Sequence, residues 1–188
     1  MKKIVLLFLI IFLAACGSEA SVKELKEGEA TTPEEIIAAN EPAEVVELDK
    51  EVEFKDFTLR IDHYFRTDKI YEMNKLNNVK INTPESGLEY IVLYLETTNH
   101  SGEENPLPYI FNLVGDNKVY SNPFLAFGNT TFEKSFPATG IGTERLVDGG
   151  TIEGYLMMEL SKEDENPALR LKEMGIISDP EELDIPLN

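Results

Sequence analysis

The chain is short of several things, and each shortage excludes something. It has a single cysteine, Cys16, so no intrachain disulfide forms and the fold rests on its apolar core. It has no tryptophan and only two histidines, His63 and His100. With Cys16 committed to the N-terminal segment, no readable pattern of three or four zinc ligands remains. Lys and Arg number 17 against 35 Asp and Glu. That balance excludes a nucleic-acid surface, which needs clustered Lys and Arg, and a basic hold on anionic lipid. No G-x-S-x-G, H-E-x-x-H, phosphate loop or dinucleotide fingerprint occurs. The many carboxylates bring some pair together by chance and make no glycosidase signature. The expectation is a protein that is not an enzyme and carries no cofactor.

What is present begins with "MKKIVLLFLIIFLAACGSEA". Lys2 and Lys3 precede an apolar run over residues 4–15, shorter than the roughly 20 residues of a membrane span. This is the layout of a secretory signal peptide. Leu13-Ala14-Ala15-Cys16 resembles the lipobox of bacterial lipoproteins. The resemblance implies lipidation of the Cys16 thiol and cleavage before it. An ordinary signal peptide with a chance cysteine, or an uncleaved anchor, is the competing reading. Two or more acyl chains hold a protein stably at a membrane, at about 0.8 kcal/mol per buried methylene. The expected location is the cell membrane, lipid-anchored on the extracytoplasmic face. Without residues 1–15 the formal charge moves from −18 to about −20. Acidity of this size keeps a surface protein soluble, and the attractive partners it allows are cations, basic peptides and basic wall components.

Residues 16–50 are rich in Glu and hold no aromatic residue. Too little apolar surface is on offer there to offset ordering entropy, so a flexible acidic tether is expected. Within it, Thr32-Pro33-Glu34-Glu35 carries a cap residue, proline at the first helical position and a glutamate three after the cap. The two turns after this cap are marginal unless docked.

From residue 51 the apolar period becomes two. Phe57, Leu59 and Ile61 share a face, as do Ile91, Leu93 and Leu95, with Val92 and Tyr94 making the second face of that strand partly apolar. Gly115-Asp116-Asn117 marks a hairpin. Ile152, Gly154, Leu156, Met158 and Leu160 point inward, and "ALRLKEM" is a last short strand. Residues 66–78 are either a helical stripe of Ile70, Met73 and Leu76 or a hairpin arm. Residues 176–188 read as a frayed acidic tail. The predicted fold class is all-β, an immunoglobulin-like antiparallel β-sandwich over residues 51–175.

The order "EYIVLYLETTN", "FNLVGDNKVYS", "LVDGGTIEGYLMMEL" resembles the immunoglobulin-like domain of unknown function carried by many Gram-positive lipoproteins. That domain is related in fold to a mycobacterial immunoprotective extracellular antigen. Gly87, Tyr90 to Glu96, Asn99, Gly115-Asp116, Gly149-Gly150, Gly154 and Tyr155 occupy the places of its motifs. The turn "VDGG" lacks an expected proline, and residues 123–145 form a Phe- and Gly-rich insert. The resemblance implies a sandwich and brings no enzyme activity.

Three groups of side chains are candidates for binding. Glu103 and Glu104 in "HSGEEN", with Asp164 in "SKEDEN", offer oxygen ligands for calcium if both loops share one end of the sandwich. Phe124, Phe127 and Phe132 offer an aromatic surface to a protein partner; one more buried strand is the plainer reading. His63 follows Ile61 on the inward face near a strand end, and His100 lies in a polar turn. The function expected is a lipid-anchored, non-catalytic module that binds a protein or peptide of the envelope or surroundings. The alternative is a divalent-cation-binding or envelope-sensing domain that uses its acidic loops.

Overall fold

The computed structural model describes residues 24–42, 44–120, 131–136, 145–174 and 180–188. Cys16, the apolar run before it and most of the Phe-rich insert, including Phe124 and Phe127, lie outside the described residues.

The fold is the all-β antiparallel sandwich that the sequence predicts. Strands β1 (Val46–Phe54), β2 (Phe57–Thr67), β5 (Leu88–Asn99) and β8 (Thr151–Ser161) form one sheet in the order β1-β2-β5-β8. Strands β6 (Tyr109–Val114), β7 (Val119–Tyr120), β9 (Ala168–Glu173) and β10 (Glu182–Pro186) form the second in the order β10-β9-β6-β7. β3 (Ile70–Met73) and β4 (Val79–Asn82) make a separate hairpin, which resolves the ambiguous 66–78 segment in favour of the hairpin arm. Gly115 sits in the expected β6–β7 turn, with Gly115 N donating to Lys118 O.

Period-two burial builds the core between the sheets. Leu59, Ile61, Ile91, Leu93, Leu95, Leu113, Leu160, Leu169 and Leu171 are fully enclosed in one cluster. Gly154 is buried opposite Leu95. Tyr109 is enclosed as well, and its hydroxyl pairs with Thr97 Oγ1 at 2.8 Å, which in turn donates to Thr58 O at 2.9 Å. Burial pushes the Tyr109 phenol far above its ordinary value, so it stays neutral and serves as a hydrogen-bonding core residue.

Two expected boundaries move. The 16–50 segment is not flexible throughout. Helix α1 (Pro33–Asn40) forms where the cap signal placed it, with a complete capping box between Thr32 and Glu35, and β1 begins at Val46. The reason is docking: Ile36 and Ala39 pack with Leu25, Tyr71 and Val79 in a small apolar cluster. Burial supplies what two helical turns lack in water. The segment before α1 also pairs with the hairpin, with Gly28 N donating to Val79 O and Val79 N to Glu29 O, both at 2.8 Å. At the other end, residues 182–186 are no frayed tail. They pair antiparallel with β9, and Ile185 and Leu187 enter the main core. Arg170 bridges Asp184 across that pair, so the acidic character of the segment is used in pairing.

Candidate functional site

The outer face of the β1-β2-β5-β8 sheet carries the most unusual chemistry of the described residues. β2 contains a bulge: Ile61 lies opposite Leu95, and His63 opposite Tyr94, so Asp62 is the extra residue. The β1–β2 register shifts at the same level, between Glu47 and Lys50, and Asp49 takes a positive φ of 45°. A bulge reverses the facing of every later residue in its strand. Tyr64 therefore joins the inner core and Phe65 the outer cluster. His63, expected inward after Ile61, is turned to the outer face.

There it meets a prepared setting. The His63 ring stacks on Tyr94 at 5.5 Å between centroids and 2° between planes, and meets Tyr155 edge-on at 6.1 Å. His63 Nδ1 lies 2.9 Å from Asp62 Oδ2, while Asp62 Oδ1 accepts from Arg60 Nη2 at 2.9 Å. Glu47 approaches from β1, so that one ligand atom from each of Glu47, Asp62 and His63 falls within 4.8 Å of the others. Burial, then hydrogen bonding to Glu153, pushes the Tyr94 phenol up to about 12. Burial likewise raises Tyr155, with the nearby charges of Glu41 and Asp62 adding to it. Both tyrosines are neutral walls at physiological pH.

Further along the same face, Phe65, Ile70, Tyr90, Val92, Phe132 and Met157 form a second apolar cluster. Residues 131–136 run against the β8 edge, where Phe136 N donates to Tyr155 O and Tyr155 N to Lys134 O. Asn40 ties this cover to α1. Its amide donates to Tyr71 O and Thr131 O at 2.8 and 2.9 Å and accepts from Tyr71 N at 2.8 Å. Between the end of α1, Pro42 and β2–β3 lies a cavity of about 440 Å³. Ala39, Phe65, Ile70 and Tyr71 give it an apolar lining, and Glu41, Glu44 and Lys69 bring both signs of charge to it, whereas the Arg66 guanidinium is taken by Glu89 and by the backbone oxygens of Ser161 and Asp164.

The residues singled out by sequence distribute differently from expectation. Glu103 and Glu104 follow the end of β5, whereas Asp164 follows the end of β8, which is paired with the start of β5 through Leu88 and Ser161. A 12-residue strand separates the two loops by roughly 35 Å, so they share no ion. Glu104 instead pairs with Arg145 at 3.0 Å, and the backbone oxygen of Glu103 accepts from Asn99 Nδ2 at 2.7 Å. Asp164 is a buried latch. Its carboxylate accepts from Asp116 N and Tyr120 Oη, which holds the β6–β7 turn. A Cβ on Gly115 would fall 2.2 Å from that carboxylate, so the turn needs glycine for close approach. Phe132 is 6% exposed and packs at 4.8 Å on Tyr155; it is a core residue of the outer cluster and no open aromatic surface. His100 is exposed, as its polar turn implied. Glu47, Asp62 and His63 as a group were missed. The adjacent Asp-His pair in "RIDHYF" was the available signal, but strict alternation sends neighbours to opposite faces, and the bulge is invisible to that rule.

Fold and surface together define a class: an all-β antiparallel sandwich with a covered outer face. No family model matches the chain, and no curated protein matches it. Among solved structures it is similar to a conserved hypothetical protein from Bacillus anthracis. That likeness has 16% identity and a TM-score of 0.52, over 74% of this chain and 95% of that one. A functionally unknown protein from Listeria monocytogenes EGD-e aligns with 12% identity and a TM-score of 0.49, over 86% of this chain and 98% of that one. The Bacillus likeness speaks to fold alone.

Proposed function

We propose that the protein is a lipid-anchored, non-catalytic binding module on the extracytoplasmic face of a bacterial membrane. Its ligand is a protein or peptide of the envelope or its surroundings. The anchor rests on the order of lysines, apolar run, small residues and Cys16 in the sequence. The binding half rests on one observation, the 440 Å³ cavity beside α1. That volume is within the roughly 300–1,000 Å³ of ligand sites, and its lining joins apolar surface to charged and polar side chains. An apolar side chain of a bound peptide fills the space over Phe65, Ile70 and Tyr71, and the charged rim orients its backbone and ends.

Two experiments test the reading. Labelled palmitate enters the native chain in cells and fails to enter Cys16→Ser; label in both, or in neither, contradicts the anchor. Peptides selected by display on the full-length protein slow amide exchange across residues 65–71; protection confined to the loop at residues 99–105 contradicts the site.

A further inference from the structure

We propose that Glu47, Asp62 and His63 bind one divalent first-row transition-metal ion, with Zn2+ as the ion to test. The site lies on the exposed half of the outer face, and the proposal does not depend on the peptide-binding reading. Three side chains on two strands bring one donor atom each to within 4.8 Å of one another. Around Zn2+ at about 2.0–2.2 Å, tetrahedral ligands stand roughly 3.3–3.5 Å apart. Closing the widest gap takes up to about 1.5 Å of movement, and Glu47 is exposed, so its side chain has room to turn into place. Three protein ligands with water in the fourth position is a familiar open coordination.

The donor set decides the metal class. Carboxylates alone suit Ca2+ and Mg2+, but an imidazole nitrogen moves preference toward Zn2+ and its neighbours. Three further features separate this cluster from ordinary surface acidity. The bulge at Asp62 is what sets an adjacent Asp and His side by side instead of on opposite faces. The His63 ring is stacked on Tyr94 and meets the edge of Tyr155 on its β5 side, so little rotamer freedom is lost when it coordinates. Arg60 holds the second oxygen of Asp62, the kind of outer contact that orients a ligating carboxylate.

The test is calorimetric titration of the full-length protein in detergent, stripped of metal by chelation, with Zn2+ against a background of excess Ca2+ and Mg2+. One saturable site per chain is expected. His63→Phe, which keeps the stack on Tyr94, and Asp62→Asn weaken Zn2+ by about tenfold or more, the size of loss typical of a disturbed metal centre. Glu104→Gln leaves it unchanged. Equal binding by His63→Phe and native protein, or complete displacement by Ca2+, overturns the proposal. If a variant fails to fold, the native protein decides alone. Co2+ at one equivalent gives the visible bands of a four- or five-coordinate ion, and an octahedral aqua-like spectrum at saturation overturns the site.

Discussion

The two faces of the β1-β2-β5-β8 sheet are built by different means. The inner face is made by alternation. Leu59, Ile61, Leu93, Leu95, Leu156 and Leu160 follow a period of two, and all are nearly or fully enclosed. The outer face is made by interruption. A bulge at Asp62 redirects β2, a short helix docks through Ile36, and residues 131–136 fold over Tyr155 and Met157. The inner face needs only side chains of the right polarity. The outer face needs contacts between residues far apart in the chain, such as Asn40 with Thr131. Regular burial makes a stable frame, and the irregular side is where a cavity and the cluster of Glu47, Asp62 and His63 occur.

The comparison is broken or sharpened by mutation. The largest effect is expected inside. Leu93→Ala empties space at the centre of a fully enclosed cluster and costs about 2–5 kcal/mol. Denaturant unfolding then shows a lower midpoint with one cooperative transition. An effect below about 1 kcal/mol, under the usual range for such a truncation, would mean the inner face is not the frame.

Asn40→Ala comes next. It leaves Tyr71 N, Tyr71 O and Thr131 O without their amide partner and costs about 2–3 kcal/mol. Its effect is local. Amide exchange of residues 71 and 79 speeds up while that of residue 93 stays slow, as expected for a separate cooperative unit. Loss of protection at all three together would show the two faces to be one unit. A third, smaller effect is expected from Gly154→Ala. An added Cβ lies 2.7 Å from the Phe136 nitrogen and the Ser135 carbonyl carbon, both backbone atoms that cannot turn aside. Overpacking of this kind costs about 1–3 kcal/mol. It lifts the 131–136 cover, and Phe132 moves off Tyr155, which fluorescence of Tyr155 reports.

The smallest effect is a pH dependence at the β9–β10 pair. Hydrogen bonding from Arg170 holds the Asp184 carboxyl below its ordinary value. A carboxyl with a depressed folded-state pKa contributes stability above the unfolded value of about 3.9 and loses it as pH falls through the folded value. Asp184 is partly exposed, so the contribution is at most about 1 kcal/mol. Asp184→Asn should therefore match native stability at the acid end and fall slightly below it at neutral pH. A difference that grows toward low pH contradicts the assignment.

How far the sequence foretold these faces comes from the same physics. Alternation is local, so β2, β5, β8 and the Gly115 turn could be read directly, and so could the Thr32–Glu35 cap. Docking is not local. Nothing within residues 24–40 announces that Ile36 meets Tyr71 and Val79, so a folded segment reads as tether. Ile185 and Leu187 are too few to declare a strand until β9 lies beside them. The bulge defeated the placement of His63, because one extra residue reverses every later side chain. The acidic loops could not be placed on a pole without the strand pairing that puts Asp164 and Glu103 at opposite ends.

The central claim is that the outer-face cavity, and not the loops of the far pole, receives the ligand. A photoreactive amino acid placed at Glu44, an exposed residue lining the cavity, tests this most directly when crosslinked in intact cells. A discrete higher-mass adduct is expected from position 44 and none from the same group at Glu104, which is also exposed. An adduct from position 104 alone, or equal adducts from both, would contradict the claim.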